Sequence, residues 1–477
     1  MRRRGGSEAD LGDITTCRTF LKEAVEENKR LWYLAGPAIF TSIAQYSLGA
    51  VTQVFAGHLT TLELDAVSTE NMVIAGLAFG IMLGMGSALE TLCGQAYGAK
   101  QLHMMGVYMQ RSWLILMTMC LCLMPIYLLP RRSCGFSLFA YGANFPIQKF
   151  LQAQSKVMTM AVVSAVGLLL HLLLSWLFIV RLGLGLPGAA ASLNISWWAV
   201  VLGQLLYILM GNCPGAWTGF SLVAFRDLAA FARLSIASAI MMCLEFWYLM
   251  FLVVLAGHLR NAEIAVAAIS ICVNLSGWEI MVFFGFNAAI SVRISNELGA
   301  RRPRAAKFSI LVVVISSAII GVFFMALVLS LRDVYGVPFT NSPVVSRAVS
   351  DLAVLFSFTL LLNSVQPVLT GECCRGAGWQ TLVACVNLFC YYVVGLPLGF
   401  LLDLTLIWEM ILIEIFVKGI WSGMISGVLL QTLILTGITL CTNWNKEAAM
   451  ADSRIKKWGG SVENHKAMAT HGSSTCK

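Results

Sequence analysis

A single acidic residue inside a long apolar stretch is the group in this sequence best suited to move protons. Glu245 lies near the centre of RLSIASAIMMCLEFWYLMFLVVLAG, residues 233–257. A charged side chain inside hydrocarbon costs about 3 kcal/mol or more, so it normally faces a bundle interior or a wet cavity and has a functional role there. A carboxyl that loads a proton on one side of the membrane and loses it on the other could drive exchange. The alternative is a structural acid held by a neighbouring Asn or Tyr.

Polar side chains at helical spacing predict the rest of the site. Tyr248 shares a helix face with Glu245. A stripe at spacings of three and four lies in span ten, at 348–374, and comprises Asn363, Gln366, Thr370 and Cys374. A second stripe, which includes Gln45, lies in span one, at 31–57, and Asn274 lies in span eight, at 262–290. Isolated amides in hydrocarbon often only hold helices together, and this is the alternative for each of them. The residues predicted to line a substrate cavity are Tyr248, Asn274, Asn363, Gln366, Thr370 and Gln45.

The composition is that of a membrane protein with many spans. Of the 477 residues, 58% are hydrophobic and 12% are charged, whereas soluble domains carry about a quarter charged residues. The Cys residues lack the spacing of a disulfide framework or a metal site, and no nucleophile–base set or nucleotide motif stands out. We therefore expect no enzymatic activity, no metal and no cofactor. Despite the net charge of +8, we expect no nucleic-acid partner.

Twelve apolar stretches predict an all-α membrane protein, because each is close to the length that crosses the hydrocarbon core. Placing the N-terminus in the cytoplasm puts 25 of the 32 Lys and Arg on the cytoplasmic side, and the C-terminus then lies there too. The predicted spans are 31–57, 66–90, 108–130, 134–153, 155–180, 185–210, 233–257, 262–290, 307–331, 348–374, 380–402 and 416–441.

The first half of the chain recurs in the second half. FAGHL at 55–59 returns as LAGHL at 255–259, and GAK at 98–100 returns as GAR at 299–301. Six spans per copy make both copies enter the membrane in the same sense. A parallel repeat of two six-helix lobes is therefore predicted, with a substrate site near the midplane. The predicted segments are a cytoplasmic N-terminal segment at 1–30, an N-lobe at 31–210, a linker at 211–232, a C-lobe at 233–441 and a cytoplasmic tail at 442–477.

Several short motifs resemble those of one transporter family. ALETLCGQAYGA at 88–99 is similar to the signature of plant multidrug and toxic compound extrusion (MATE) carriers, and SVRISNELGA at 291–300 is similar to their second-repeat signature. QPVL at 366–369, GAGWQ at 376–380 and KGIW at 418–421 match as well. The resemblance covers about residues 30–442. It is strongest to the detoxification-efflux group, and weaker to the vacuolar flavonoid carriers within it.

The resemblance implies a two-lobed MATE fold and proton-driven efflux by alternating access. It implies that Glu245, within the Cys-Leu-Glu motif of span seven, is the proton-coupling acid. Some members carry an aspartate in span ten, where this chain has Asn363 and Gln366. Span four looks shortened after Pro130, and residues 403–416 look like an insertion.

The sequence therefore predicts a monomeric, proton-coupled antiporter in a vacuolar or plasma membrane. Its expected ligands are protons and a small organic molecule: an organic cation, a xenobiotic or a plant secondary metabolite such as a flavonoid glycoside. A passive anion channel and a lipid flippase on a related scaffold are the alternatives. Ionic current without proton movement would favour the first of these, and lipid scrambling the second.

Overall fold

The computed structural model describes residues 10–12, 16–56, 76–128, 135–226, 228–256, 262–340, 342–371, 378–399, 401 and 413–459. Within these ranges the regular secondary structure is helical, which confirms the all-α prediction. Three helices continue as π-helices, at Trp176–Arg181, Ile208–Asn212 and Leu388–Gly395. The helices are α1 Cys17–Ala56, α2 Gly76–Gly98, α3 Leu102–Leu128, α4 Gly135–Ala153, α5 Val157–Ser175, α6 Gly185–Tyr207, α7 Leu228–Ala256, α8 Ala262–Gly299, α9 Pro303–Ser330, α10 Pro343–Thr370, α11 Gln380–Asn387, α12 Ile413–Cys441 and α13 Trp444–Gly459.

Nine helices of the described ranges are long and apolar enough to cross a membrane when their helical continuations are included. They are α3 and α5 to α12, and the span that begins with α11 runs from Gln380 to Gly399. The chain is therefore built as a multi-pass membrane protein. The number of twelve spans stays a prediction, as does the shortening of span four. The shortening is predicted between Pro130 and Phe139, and residues 129–134 of that segment lie outside the described residues, as does most of the insertion at 403–416.

Several helices extend beyond their predicted apolar stretches. Helix α1 begins at Cys17 rather than near residue 31, and α8 continues to Gly299 rather than ending near residue 290. Buried ion pairs between these extensions explain the difference. The Arg293 side chain in α8 donates to Glu27 of α1 at 2.9 Å, and the Ser309 hydroxyl of α9 donates to the same carboxylate at 2.6 Å. Hydropathy alone does not detect a polar helix that is held by such contacts.

We expect Glu27→Gln to lower the free energy of unfolding by about 2 kcal/mol, since hydrogen bonds to charged groups contribute about 1.5–3 kcal/mol. The Glu27 side chain is only 8% exposed, so water cannot replace the lost ionic contacts with Arg293. Thermal unfolding of the purified protein in detergent measures the effect. Glu26→Gln is the matched control, because the Glu26 side chain is 61% exposed and its pair with Arg30 is worth little. Equal shifts for the two variants would contradict the prediction.

Both described termini lie at one end of the helix bundle, called here the terminal end. The Asp10 carboxylate accepts from the backbone amides of Arg304 and Ala305, both at 3.0 Å, at the start of α9. Asp452 of α13 pairs with Arg301 at 2.8 Å, in the turn before α9. This arrangement agrees with an even number of spans between the termini.

The last described helix, α13, packs against the helix bundle. Helix α13 buries one apolar face at helical spacing, formed by Trp444, Ala448, Ala451 and Ile455. This face packs against α8, α9 and α2 at the terminal end. Burial raises the pKa of the Glu447 carboxyl on this helix, and the neighbouring positive charge of Arg454 acts against that shift.

The turn after α2 repeats in the turn after α8, as the duplicated GAK and GAR motifs predict. Lys100 and Arg301 both adopt left-handed backbone conformations, with φ of 62° and 57°. The other duplicated motif lies partly outside the described residues, at 57–59 and 257–259. The matching backbone bonds are Ala99 N to Gln95 O, Lys100 N to Tyr97 O and Gln101 N to Ala96 O in the first turn, and Ala300 N to Asn296 O, Arg301 N to Leu298 O and Arg302 N to Glu297 O in the second.

The same two segments pack against each other through a reciprocal glycine contact. A Cβ atom on Gly98 would overlap the carbonyl oxygen of Asn296, and a Cβ atom on Gly299 would overlap the carbonyl oxygen of Gln95. Each contact becomes the other when the repeat offset is applied, which is the pattern of a local twofold axis. The backbones of α2 and α8 therefore meet at close range at the terminal end.

Candidate functional site

The Glu245 carboxylate is held by two amides from neighbouring helices. Its Oε1 atom accepts from Gln366 Nε2 of α10 at 3.1 Å and from Asn387 Nδ2 of α11 at 3.2 Å. Both donors are neutral, so they stabilise the ionised carboxylate without cancelling its charge. When Glu245 takes up a proton, one of its oxygens becomes a donor and these bonds must rearrange. The state of the proton is thereby linked to three helices, α7, α10 and α11.

The two amides belong to a closed ring of hydrogen bonds. Asn387 Oδ1 accepts from Gln431 Nε2 of α12 at 2.6 Å, and Gln431 Oε1 accepts from the hydroxyl of Tyr391. The Tyr391 hydroxyl in turn accepts from Gln366 Nε2 at 3.4 Å. Four of the five side chains are buried and Glu245 is half-buried, so the acid is the most accessible member. The carboxyl ring is defined as Glu245, Gln366, Asn387, Tyr391 and Gln431.

Local structure around Tyr248 and α11 positions the ring. The Tyr248 ring stacks on the Tyr391 ring with 4.6 Å between centroids and an interplanar angle of 7°. The Tyr248 hydroxyl occupies space that Gly395 and Gly427 leave, because a Cβ at either position would crowd it. Tyr391 itself lies in the π-helix Leu388–Gly395, and π-helical turns are frequent at functional sites.

The structure gathers some of the predicted residues and separates others. Glu245, Tyr248, Gln366 and Thr370 come together, with Gln366 Nε2 lying 3.2 Å from Thr370 Oγ1. Asn363 is half-buried on α10 one turn before Gln366. The roles of these residues stay predictions.

Two further predicted cavity residues are not members of the carboxyl ring, and their roles also stay predictions. Asn274 donates to the Ser270 carbonyl of its own helix at 2.9 Å, which is how a structural amide behaves. Gln45 lies on α1, and its Nε2 atom is buried without a hydrogen-bond partner within the described ranges. Cys374, the last member of the span-ten stripe, lies outside the described residues.

Sequence reasoning missed three members of the ring, Asn387, Tyr391 and Gln431. A signal for two of them was present, because Asn387 and Tyr391 are four residues apart and share a face of span eleven. Gln431 carried no comparable pattern, since it is a lone amide in span twelve. Its contact with Asn387 depends on how α11 and α12 pack.

One buried acid of the N-terminal half is paired with a buried base. Glu90 of α2 lies 2.9 Å from Lys149 of α4, and Lys149 Nζ also donates to Gln152 at 3.0 Å. This pair differs from Glu245, whose carboxylate accepts from two neutral amides.

Comparison with known proteins identifies the family to which this chain belongs. The family model MatE matches residues 37–134 and 237–401, which together are more than half of the chain. The chain belongs to the MatE family. The second matched segment contains Glu245, Gln366, Asn387 and Tyr391, whereas Gln431 lies beyond it.

The relatives of this MatE chain match it over nearly their whole length. Protein DETOXIFICATION 33 of Arabidopsis thaliana is 56% identical over 472 residues, which cover 95% of this chain and 96% of the relative. The crystal structure of the eukaryotic MATE transporter AtDTX14 superposes with a TM-score of 0.84 at 30% identity, covering 91% of this chain and 99% of that chain. The bent form of the Vibrio cholerae MATE transporter VcmN has a TM-score of 0.73 at 16% identity, covering 90% and 99%. At that identity VcmN supports the fold alone. This MatE chain is an integral, multi-pass membrane transporter.

We expect Asn387→Ala to reduce transport about tenfold or more, since it removes a hydrogen bond of about 1.5–3 kcal/mol to a charged group. The substitution also leaves Gln431 Nε2 without its acceptor. Uptake into proteoliposomes, normalised to the amount of inserted protein, measures the effect. Asn194→Ala is the matched control, because Asn194 donates to the Ala190 carbonyl of its own helix. Equal transport by the two variants would show that Asn387 does not act through the ring.

Proposed function

We propose that this protein is a proton-coupled antiporter that exports amphipathic organic molecules from the cytoplasm. The observation that carries the proposal is the carboxyl ring, in which an accessible acid is held by neutral amides from α10 and α11. Loading or removing one proton there changes the bonds between helices that must move if access is to alternate. The names of the relatives, DETOXIFICATION and MATE transporter, agree with efflux.

The proposal extends to substrate, site and orientation. Organic cations, xenobiotics and plant secondary metabolites such as flavonoid glycosides are the proposed substrates. Tyr248, Asn363, Gln366 and Thr370 line the proposed cavity of a C-lobe at 233–441, which faces an N-lobe at 31–210. The terminal end is proposed to face the cytoplasm, because most Lys and Arg residues fall on that side. The monomer is the proposed unit, in a vacuolar or plasma membrane.

Reconstitution into proteoliposomes with an imposed pH gradient tests the proposal. Organic cations and flavonoid glycosides are offered in turn, and a pH-sensitive dye follows protons in the same vesicles. We expect uptake of at least one substrate, with coupled proton movement that stops when a protonophore removes the gradient. Ionic current that reverses at the Nernst potential of an anion, without proton movement, would show a passive channel. Scrambling of labelled lipid without substrate uptake would show a flippase.

A further inference from the structure

A second acid inside the helix bundle has no assigned role. Glu279 of α8 is 5% exposed, and both of its carboxyl oxygens are buried without a hydrogen-bond partner in the described part of the chain. It lies within the candidate span Ala267–Gly299. An ionised carboxylate in such surroundings is too costly to persist alone, so the group must bind a proton or a small cation.

The neighbours of Glu279 on its own helix show which way it faces. Phe283 and Asn287 follow it by four and eight residues and so share its helix face. The Phe283 ring packs edge-on against Phe324 of α9 at 6.4 Å between centroids, and the Asn287 amide donates to the Pro367 carbonyl of α10. Glu279 is therefore directed towards α9 and α10, inside the second half of the bundle.

Glu279 and the carboxyl ring lie at different depths. Asn287 contacts Pro367, the residue next to Gln366 of the ring. Glu279 precedes Asn287 by eight residues, which is on the order of 10 Å along the helix axis, away from the terminal end. On α10, polar side chains cover the same interval: Asn363 precedes Gln366 by three residues, and Thr359 precedes Asn363 by four. This polar stripe runs from the ring towards the depth of Glu279.

Among the described residues, few titratable groups are close enough to influence Glu279. On α1, the Tyr46 ring packs against Trp278 at 5.1 Å, and on α8 the nearest group is Cys272. On α7 the groups are Glu245 and Tyr248. The facing stretches of α2, α9 and α10, residues 76–86, 321–331 and 356–366, contain no acidic, basic, Tyr or Cys residue.

We propose that Glu279 is a second proton-binding carboxyl of this transporter, placed between the carboxyl ring and the end opposite the terminal end. Its carboxylate binds one proton from the aqueous phase on that side and releases it to the aqueous phase at the terminal end in each cycle, so it adds to the number of protons exchanged per substrate. Its burial fits a proton better than an organic substrate. The inference rests on the proposed proton coupling, and it adds a site that the ring does not contain.

The test counts protons per substrate in proteoliposomes made with the full-length protein. We expect Glu279→Gln to keep substrate exchange at equal pH on both sides, because the ring is intact. A pH difference of one unit across the membrane should support a substrate gradient about tenfold smaller than with the unmodified protein, because one coupled proton is lost. Glu26→Gln, an exposed acid on α1, is the control and should leave the gradient unchanged. An unchanged proton count in Glu279→Gln would overturn the proposal, as would a requirement for Na⁺.

Carbodiimide labelling of the unmodified protein keeps the proposal testable if the variant does not fold. Dicyclohexylcarbodiimide reacts with protonated carboxyls in apolar surroundings, so mass spectrometry should find an adduct on Glu279 that declines as the pH rises. No adduct at any pH, or an adduct that does not change with pH, would overturn the proposal. Absence of proton movement with the unmodified protein would instead contradict the proposed function, so the two failures are distinguishable.

Discussion

Glu245→Gln is expected to abolish pH-driven substrate uptake while leaving the protein folded. Glutamine has nearly the same shape and keeps an oxygen that accepts from Gln366 Nε2 and Asn387 Nδ2, so the carboxyl ring can still close. It cannot gain or lose a proton, so the carboxyl ring no longer responds to an imposed pH gradient, and the proton proposed for Glu279 adds to that of the ring and does not replace it. We expect uptake to fall to the level of vesicles without protein. The same vesicles and dye used for the unmodified protein provide the measurement.

Two further observations separate a loss of coupling from a loss of structure. The Glu245→Gln protein should elute as a single species in detergent and unfold at a temperature close to that of the unmodified protein. Glu245→Asp should keep part of the activity, because it retains a titratable carboxyl but shortens its reach to Asn387. Full pH-driven uptake by Glu245→Gln would reject Glu245 as the coupling acid.

Gly299→Ala is expected to have the second largest effect, through the reciprocal glycine contact. The new methyl group would overlap the Gln95 carbonyl oxygen, so α2 and α8 must separate at the terminal end. Overpacking of this kind costs about 1–3 kcal/mol, which shifts a two-state equilibrium about 5- to 150-fold against the arrangement in which α2 and α8 are in contact. We expect transport to fall by a similar factor. Hydrogen exchange should become faster in the turns at residues 98–101 and 299–302.

A matched control is available on another helix. Gly437 of α12 has no atom within 4 Å of the position that a Cβ would occupy. Gly437→Ala should therefore leave both transport and hydrogen exchange unchanged. Gly98→Ala should reproduce the effect of Gly299→Ala, because the two contacts are equivalent under the repeat. If only one of the two variants were impaired, the twofold interpretation would be wrong.

The sequence predicted the helical class of the fold and its repeat, because both leave a signal in one dimension. Apolar stretches of membrane length mark helices directly, and the offset between GAK and GAR located two turns with the same hydrogen bonds. The helix ends were placed less well. Residues 17–30 and 291–299 are polar, and the contacts between Glu27 and Arg293 that hold them are far apart in the sequence.

The site was predictable where its residues lie on one helix. Gln366 and Thr370 share a face of α10, and Tyr248 lies one turn after Glu245. Helical spacing therefore predicted these residues. Gln431 was not predictable in this way, because its contacts with Asn387 and Tyr391 join two different helices. The role of Asn274 stays a prediction, and its amide donates to the Ser270 carbonyl of its own helix.

The contact between α2 and α8 also limits which second mutations could restore transport to a variant with a larger residue at position 98 or 299. Each glycine meets a main-chain oxygen, and that oxygen is present whatever amino acid stands at position 95 or 296. No smaller side chain on the facing helix can make room for a methyl group at 98 or 299. A genetic selection for restored activity should therefore return glycine itself, or changes at a distance that alter how the two helices cross.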